Sequence, residues 1–258
     1  MAIAAARAGG VTLRERYGRP GRITMKPGGM GPVSEADLAS EAAILALLRE
    51  TGVPVLSEEA GGPETGRRWI VDPLDGTSNF IRHLPWFGVG VALATDDTVE
   101  LGVVFVPITG ELFSAARGGG ATLNGEPVRV SETASLAATC IVTSIDHGVC
   151  AVPTRIRRFA RVAAQVAEMR SPNAALLDLA YVAAGRTDGF WEDGLSPWDF
   201  AAGSLLVQEA GGAVSGLDGA PLRLDPQGVV ATNGRFHDVL VAALKGGHAG
   251  TEGGPDGT

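Results

Sequence analysis

Apolar positions recur at helical spacing from Ser34 to Arg49, where SEADLASEAAILALLR places Leu38, Leu45 and Leu48 on one face with Ile44 and Leu47 beside it. That periodicity predicts a helix, and Ser34 stands where an N-cap belongs. Two short apolar runs bounded by glycine and charged residues, VPVL at 53–56 and RWIVD at 68–72, read as strands. FGVGVALAT, VELGVVFV and GELFSAAR follow at close spacing, separated by DD and PITG, and predict an antiparallel meander. After about Ser131 the texture changes. CIVTSI, DGFWE and GVVATN have strand character, whereas RIRRFARVAAQVAEM, NAALLDLAYVAAG, PWDFAAGSLLVQEAG and FHDVLVAALKG have helix character. Such alternation indicates helices layered on a sheet. The expected organisation is an N-terminal α+β half over 1–131, a C-terminal α/β half over 132–247, and a loose glycine-rich tail over 248–258.

Composition narrows the function. The chain has 258 residues, ample for a sizeable core. A formal net charge of -8 argues against nucleic acid as a partner, because phosphate backbones demand a basic surface. An acidic protein that acts on phosphate therefore needs positive charge from elsewhere. The two cysteines, Cys140 and Cys150, have no histidine at zinc-like spacing beside them and read as reduced thiols. The opening MAIAAARAGG lacks the apolar stretch of a signal peptide, and no run is long enough to span a membrane, so a cytoplasmic protein is expected. Lysine occurs only at Lys26 and Lys245, which singles both out, since arginine does not replace a compact ammonium.

The chemistry concentrates in WIVDPLDGTSNF at 69–80, where an apolar strand runs into two aspartates three apart. Pro73 fixes a defined turn that keeps Asp72 and Asp75 together. If Gly76-Thr77-Ser78 opens a short helix, its amides form an anion site beside Asp75. Carboxylates next to an anion pocket call for a cation, and magnesium can join the two. Each acid also has a structural explanation of its own. Asp75 could cap a turn, Glu58 and Glu59 could end a strand in solvent, and Asp37 could be the N3 residue of a helix begun by Ser34. Asp199 could play that last part after Ser196 and Pro197.

Taken together these segments resemble the inositol monophosphatase family of magnesium-dependent, lithium-sensitive phosphatases. The resemblance rests on LSEEAGG at 56–62, WIVDPLDGTSNF at 69–80, WDFAAGSLLVQEAGG at 198–212 and PVSEAD at 32–37, and it runs over nearly the whole chain. It implies a layered αβαβα sandwich of the sugar-phosphatase type and two to three magnesium ions. Glu58, Asp72 and the Leu74 carbonyl would hold the first ion, Asp72, Asp75 and Asp199 the second, and Glu58 with waters a weaker third. Asp37 would accept the Thr77 hydroxyl proton, so that Thr77 and Glu58 orient the attacking water. Gly76 and Thr77 amides would bind phosphate oxygens, Glu192 would accept a substrate hydroxyl, and Lys26 would stand near the metal site. The implied partner is a small phosphorylated polyol or sugar, and the implied assembly a homodimer.

The chain departs from the family pattern in two places. SPNAALLDLA puts Asn173 and Ala174 where a glycine and serine usually line the substrate pocket, and Arg82 and His83 stand in exchanged order after the signature. Rival activities on the same fold are hydrolysis of 3′,5′-bisphosphate nucleotides, fructose 1,6-bisphosphate or histidinol phosphate. An aspartyl-phosphate phosphatase would need D-x-D-x-T, where this chain has D-x-x-D-G-T. A non-enzymatic regulator with a bound metal is the remaining alternative.

Overall fold

Residues 1–26, 31–145 and 152–246 are described in the computed structural model of the chain. The expected tail at 248–258 and Cys150 lie outside the described residues. Helix α1 (Ala2–Arg16) has no counterpart in the sequence expectation, because Gly9 and Gly10 weaken the helical signal. Both glycines lie where the helix is buried: a Cβ on Gly9 would stand 2.7 Å from Ile44 and from Ser40, and one on Gly10 would strike the Phe105 ring. Close approach replaces propensity here.

A short antiparallel ribbon, β1 (Ile23–Met25) and β2 (Pro32–Ser34), leads into α2 (Glu35–Leu48). Ile44, Leu45 and Leu48 are buried as expected, but Leu38 is 52% exposed. The inward stripe at that end of the helix is polar instead, formed by Asp37, Ser40 and Glu41, because it borders a site rather than a core.

The chain then builds a seven-stranded sheet from β3 (Val55–Ser57), β4 (Arg67–Asp75), β5 (Gly88–Thr95), β6 (Thr98–Val106), β7 (Glu111–Ala116), β8 (Ala121–Leu123) and β9 (Glu126–Pro127). Strand β3 runs parallel to β4, and the remaining neighbours are antiparallel, the expected meander. Strand β4 does not end at Asp72: pairing with β5 resumes at Asp75 after an irregularity that contains Pro73, where a missing N–H does least harm. Helix α3 (Thr77–Ile81) follows at once.

The second sheet has the order β11-β10-β12-β14-β13. Its chain sequence is β10 (Cys140–Val142), α4 (Pro153–Ala163), β11 (Glu168–Arg170), α5 (Ala175–Ala183), β12 (Gly189–Leu195), α6 (Pro197–Glu209), β13 (Ala213–Gly216), β14 (Gln227–Thr232) and α7 (His237–Lys245). The segment RIRRFARVAAQVAEM is therefore not one helix: it turns after Ala163, and Glu168–Arg170 pairs in parallel with β10. Helices α1 and α2 cover the outer face of the large sheet, α5 and α6 lie between the two sheets, and α4 and α7 cover the small one. This is the layered αβαβα sandwich. Alternation along β12 sends Phe190 inward and Trp191 outward, which puts Glu192 on the inner side and Asp193 outside against Arg158 of α4.

Helix α6 approaches β6 so closely that a Cβ on Gly102 would lie 2.7 Å from the Ala202 carbonyl oxygen and 2.9 Å from its Cα. Backbone cannot yield as a side chain can. Gly102→Ala is expected to destabilise the chain by about 1–3 kcal/mol, read as a lowered midpoint in denaturant at constant m-value.

Candidate active site

Strand β4 delivers Asp72 and Asp75 to one end of the large sheet, both buried. Asp72 Oδ1 accepts the Leu74 N–H at 2.9 Å, a local turn that carries the chain past Pro73. Gly76 takes φ +85°, and a Cβ there would stand 2.8 Å from the Trp86 carbonyl oxygen, so glycine alone fits. The Asn79 and Phe80 N–H groups bond back to the Gly76 carbonyl, leaving the amides of Gly76 and Thr77 ahead of the first helical bond.

Thr77 Oγ1 lies 2.9 Å from Asp37 Oδ1 and 3.1 Å from the Leu74 carbonyl oxygen. It has one proton to donate, and a carboxylate is the stronger acceptor. Asp37 is itself fixed, because its Oδ2 accepts from the Ser34 amide at 2.8 Å and the Ser34 hydroxyl at 2.6 Å in a capping box. The same S-x-x-D device recurs at α6, where Asp199 Oδ2 accepts the Ser196 N–H at 2.7 Å. Asp75 Oδ2 accepts from Leu176 N–H at 2.9 Å and Leu177 N–H at 3.3 Å, at the start of α5. Three helix N-termini thus each hold one carboxylate.

Glu58 follows β3 in a turn braced by buried Glu41, whose Oε1 accepts from Ser57 Oγ at 2.5 Å and Ala60 N–H at 3.0 Å. Lys26 Nζ stands 2.6 Å from Glu58 and 2.7 Å from Glu59. Burial works against that ammonium, but the two carboxylates outweigh it and hold the Lys26 pKa above the ordinary lysine range. Burial raises the carboxyls of Asp72 and Asp199 well above their usual range; Glu58 and Asp75 add repulsion at each, and Asp199 adds more at Asp72. Asp75 is pushed up to about 7 by burial, opposed by the Leu177 and Leu176 amides and reinforced by Glu58. Burial also raises Asp37, against the bonds from Ser34 and Thr77.

The structure therefore gathers Glu58, Asp72, Asp75 and Asp199 within one another's field, with Lys26 beside them and the Asp37–Thr77 pair behind. Among the described residues no three acidic, histidine or cysteine side chains form a closed ion-holding cluster. Asp72 and Asp199 are turned to the amides of Leu74 and Ser196, and Glu58 to Lys26. Hard oxygen donors in an open arrangement still suit magnesium, which keeps much of its water and uses few carboxylates.

Glu192 is half-buried and bonded by the Ser144 hydroxyl; its Oε2 is buried with no hydrogen-bond partner among the described residues. Ala174 packs its Cβ 3.2 Å from the Cβ position of Gly76, against the loop. The Asn173 side chain is engaged elsewhere, accepting from Ser171 Oγ at 2.9 Å, and its backbone takes φ +61°. His83 packs edge-on against Tyr17. Sequence reasoning gave Glu41 and Asp178 no part in this region, and took Glu59 only as a strand end and Asn79 only as a letter of the WIVDPLDGTSNF signature. Of Glu41 and Asp178, only Asp178 carried a signal, as an acid inside the apolar run ALLDLAYVA.

In the metal-free chain Asp75 keeps its proton up to about pH 7, against an ordinary value of 3.8. The stability this group contributes is fully present below 3.8 and is lost as pH rises through about 7. Melting temperature in chelator is expected to fall over that window, and to fall less in Asp75→Asn; identical pH profiles for the two proteins would refute the buried-carboxyl assignment.

The inositol monophosphatase family model matches residues 1–248. The chain is 41% identical over 250 residues to an inositol-1-monophosphatase of Mesorhizobium japonicum, covering 94% of both chains. It is 38% identical over 252 residues to the Nus factor SuhB of Escherichia coli K12, covering 95% of this chain and 94% of that one. The crystal structure of the extragenic suppressor protein suhB from Bartonella henselae superposes with a TM-score of 0.89 at 39% identity, covering 95% and 97% of the two chains. Among the described residues no helix is long and apolar enough to cross a membrane. With the family model spanning nearly the whole chain, this protein belongs to the inositol monophosphatase family, a metal-dependent family, and is a phosphatase acting on phosphorylated substrates.

Proposed function

We propose that the chain hydrolyses a small phosphorylated polyol, inositol 1-phosphate in the first place, with two to three magnesium ions held by Glu58, Asp72, Asp75, Asp199 and the Leu74 carbonyl. The observation that carries this reading is the 2.9 Å bond from Thr77 Oγ1 to Asp37 Oδ1, set beside those four acids. Magnesium bound there would neutralise phosphate charge and lower the pKa of a water.

The chain's own groups do the rest. The Thr77 hydroxyl donates its hydrogen bond to Asp37, which leaves lone pairs of the Thr77 oxygen to accept a hydrogen bond from the attacking water. Glu58, released from Lys26, accepts the second bond and turns the water in line with phosphorus. The amides of Gly76 and Thr77 bind the non-bridging oxygens. Glu192 Oε2, unpartnered among the described residues, accepts a hydroxyl of the polyol, which favours a hydroxylated leaving group over an aromatic one. Hydrolysis is direct, releasing phosphate and the free alcohol without a phosphoenzyme. Lithium inhibition, a homodimer and a cytoplasmic setting belong to the same reading, with no nucleic-acid substrate.

The name Nus factor borne by relatives at 38% identity brings a partner-binding reading beside it. The intact carboxylate set and the Asp37–Thr77 pair favour catalysis. A panel of inositol 1-phosphate, fructose 1,6-bisphosphate, a 3′,5′-bisphosphate nucleotide and histidinol phosphate, with and without magnesium and lithium, separates the candidates. The expected result is magnesium-dependent, lithium-inhibited release of phosphate, fastest from inositol 1-phosphate; no release from any of them would favour the regulator. Asp75→Asn and Asp199→Asn should abolish turnover with the fold retained, and near-normal rates in millimolar magnesium would exclude them as ligands. Thr77→Ala should lower kcat by about 100-fold with unchanged magnesium dependence, whereas a change in KM alone would confine Thr77 to substrate binding.

A further inference from the structure

Three side chains outside the set above close a ring of hydrogen bonds around the Asp75–Thr77 segment. Buried Asn79 donates both amide hydrogens, to the Trp86 carbonyl oxygen at 2.8 Å and to the Pro172 carbonyl oxygen at 2.6 Å. The Trp86 indole N–H donates to Asp178 Oδ1 at 3.1 Å. Asp178 is fully buried in the first turn of α5, and its Oδ2 has no partner among the described residues. Two residues earlier on that helix, the Leu176 amide donates to Asp75.

The path thus leaves Asp75, enters α5, crosses from Asp178 to the Trp86 indole, passes from the Trp86 carbonyl to Asn79, and returns along α3 to Gly76. It has no slack. Trp86 also supplies the carbonyl that stands against Gly76, and its ring meets Tyr181 edge-on at 5.0 Å, so its place is set from both sides. A fully buried carboxyl whose side-chain partner is one indole N–H, with its second oxygen unpartnered among the described residues, is a costly element to keep for packing alone.

We infer that Asn79, Trp86 and Asp178 are positioning residues, whose hydrogen bonds hold the Asp75–Thr77 segment on the N-terminus of α5 and so set the turnover rate without touching substrate. This rests on the reading of Asp75 and Thr77 under the proposed function. Displacement of a reacting group by a fraction of an ångström is enough to slow a reaction strongly.

Steady-state phosphatase kinetics with thermal melts on four variants tests it. Trp86→Phe keeps an aromatic ring but loses the donor, and is expected to lower kcat about 10-fold with KM within about twofold. Asp178→Leu should do the same, while Asp178→Asn, which retains an acceptor oxygen for the indole, should stay within about threefold of the parent kcat. In Trp86→Phe/Asp178→Leu no buried acceptor is left unpaired, so melting temperature should recover while kcat stays as low as in either single variant. Unchanged kcat in Trp86→Phe, an Asp178→Asn variant as slow as Asp178→Leu, or kcat recovering with melting temperature in the double variant would each overturn the inference. Failure of the underlying reading looks different: the parent protein itself would then release no phosphate.

Discussion

Like charges crowded out of water are the constraint on which the rest of this structure depends. Asp72, Asp75 and Asp199 each have burial and neighbouring acids working against ionisation. The fold answers with oriented dipoles: α2 holds Asp37, α5 holds Asp75 and α6 holds Asp199, each through backbone N–H groups at a helix start. Lys26 supplies a full positive charge beside the cluster, bridging Glu58 and Glu59. These devices reduce the repulsion without removing it, and the remainder is the attraction a divalent cation would feel.

The layered architecture follows from that arrangement. Glu58, Asp72 and Asp75 come from the end of the large sheet, while Asp199 and the helix that holds Asp75 come from the layer between the sheets. Bringing them together requires α6 to lie almost against β6, which Gly102 permits, and the loop after β4 to pass under the Trp86 carbonyl, which Gly76 permits. Rigid elements deliver the acids, and one tight loop presents its amides among them. Buried Glu41 extends the same logic to the turn that carries Glu58.

Much of this was legible in the chain. The capping boxes at Ser34–Asp37 and Ser196–Asp199 and the glycine-led start of α3 follow from local rules, because side chain and amide lie within three residues of each other. The meander was legible for the same reason. Helix α1 was not, since the value of Gly9 and Gly10 lies in a distant contact with α2 and β6. The break after Ala163 was also hidden: Glu168–Arg170 is a strand only because β10 is there to pair with it. Leu38 misled because the helical stripe it continues borders a polar site. Long-range partners such as Trp86–Asp178 and Glu41–Ser57 leave no spacing to read: Asp178 stands out as an acid in an apolar run, but nothing near it in sequence names its partner, and Glu41 looks unexceptional until the fold buries it.

Calorimetric titration of magnesium chloride into chelator-treated protein near neutral pH, run in buffers of different ionisation enthalpy, probes the balance of charge without requiring a substrate. Saturable binding with net release of protons is the expected result, as carboxyls raised by burial lose their protons to the buffer when the cation binds. A flat thermogram in every buffer, or binding with no proton exchanged, would contradict it.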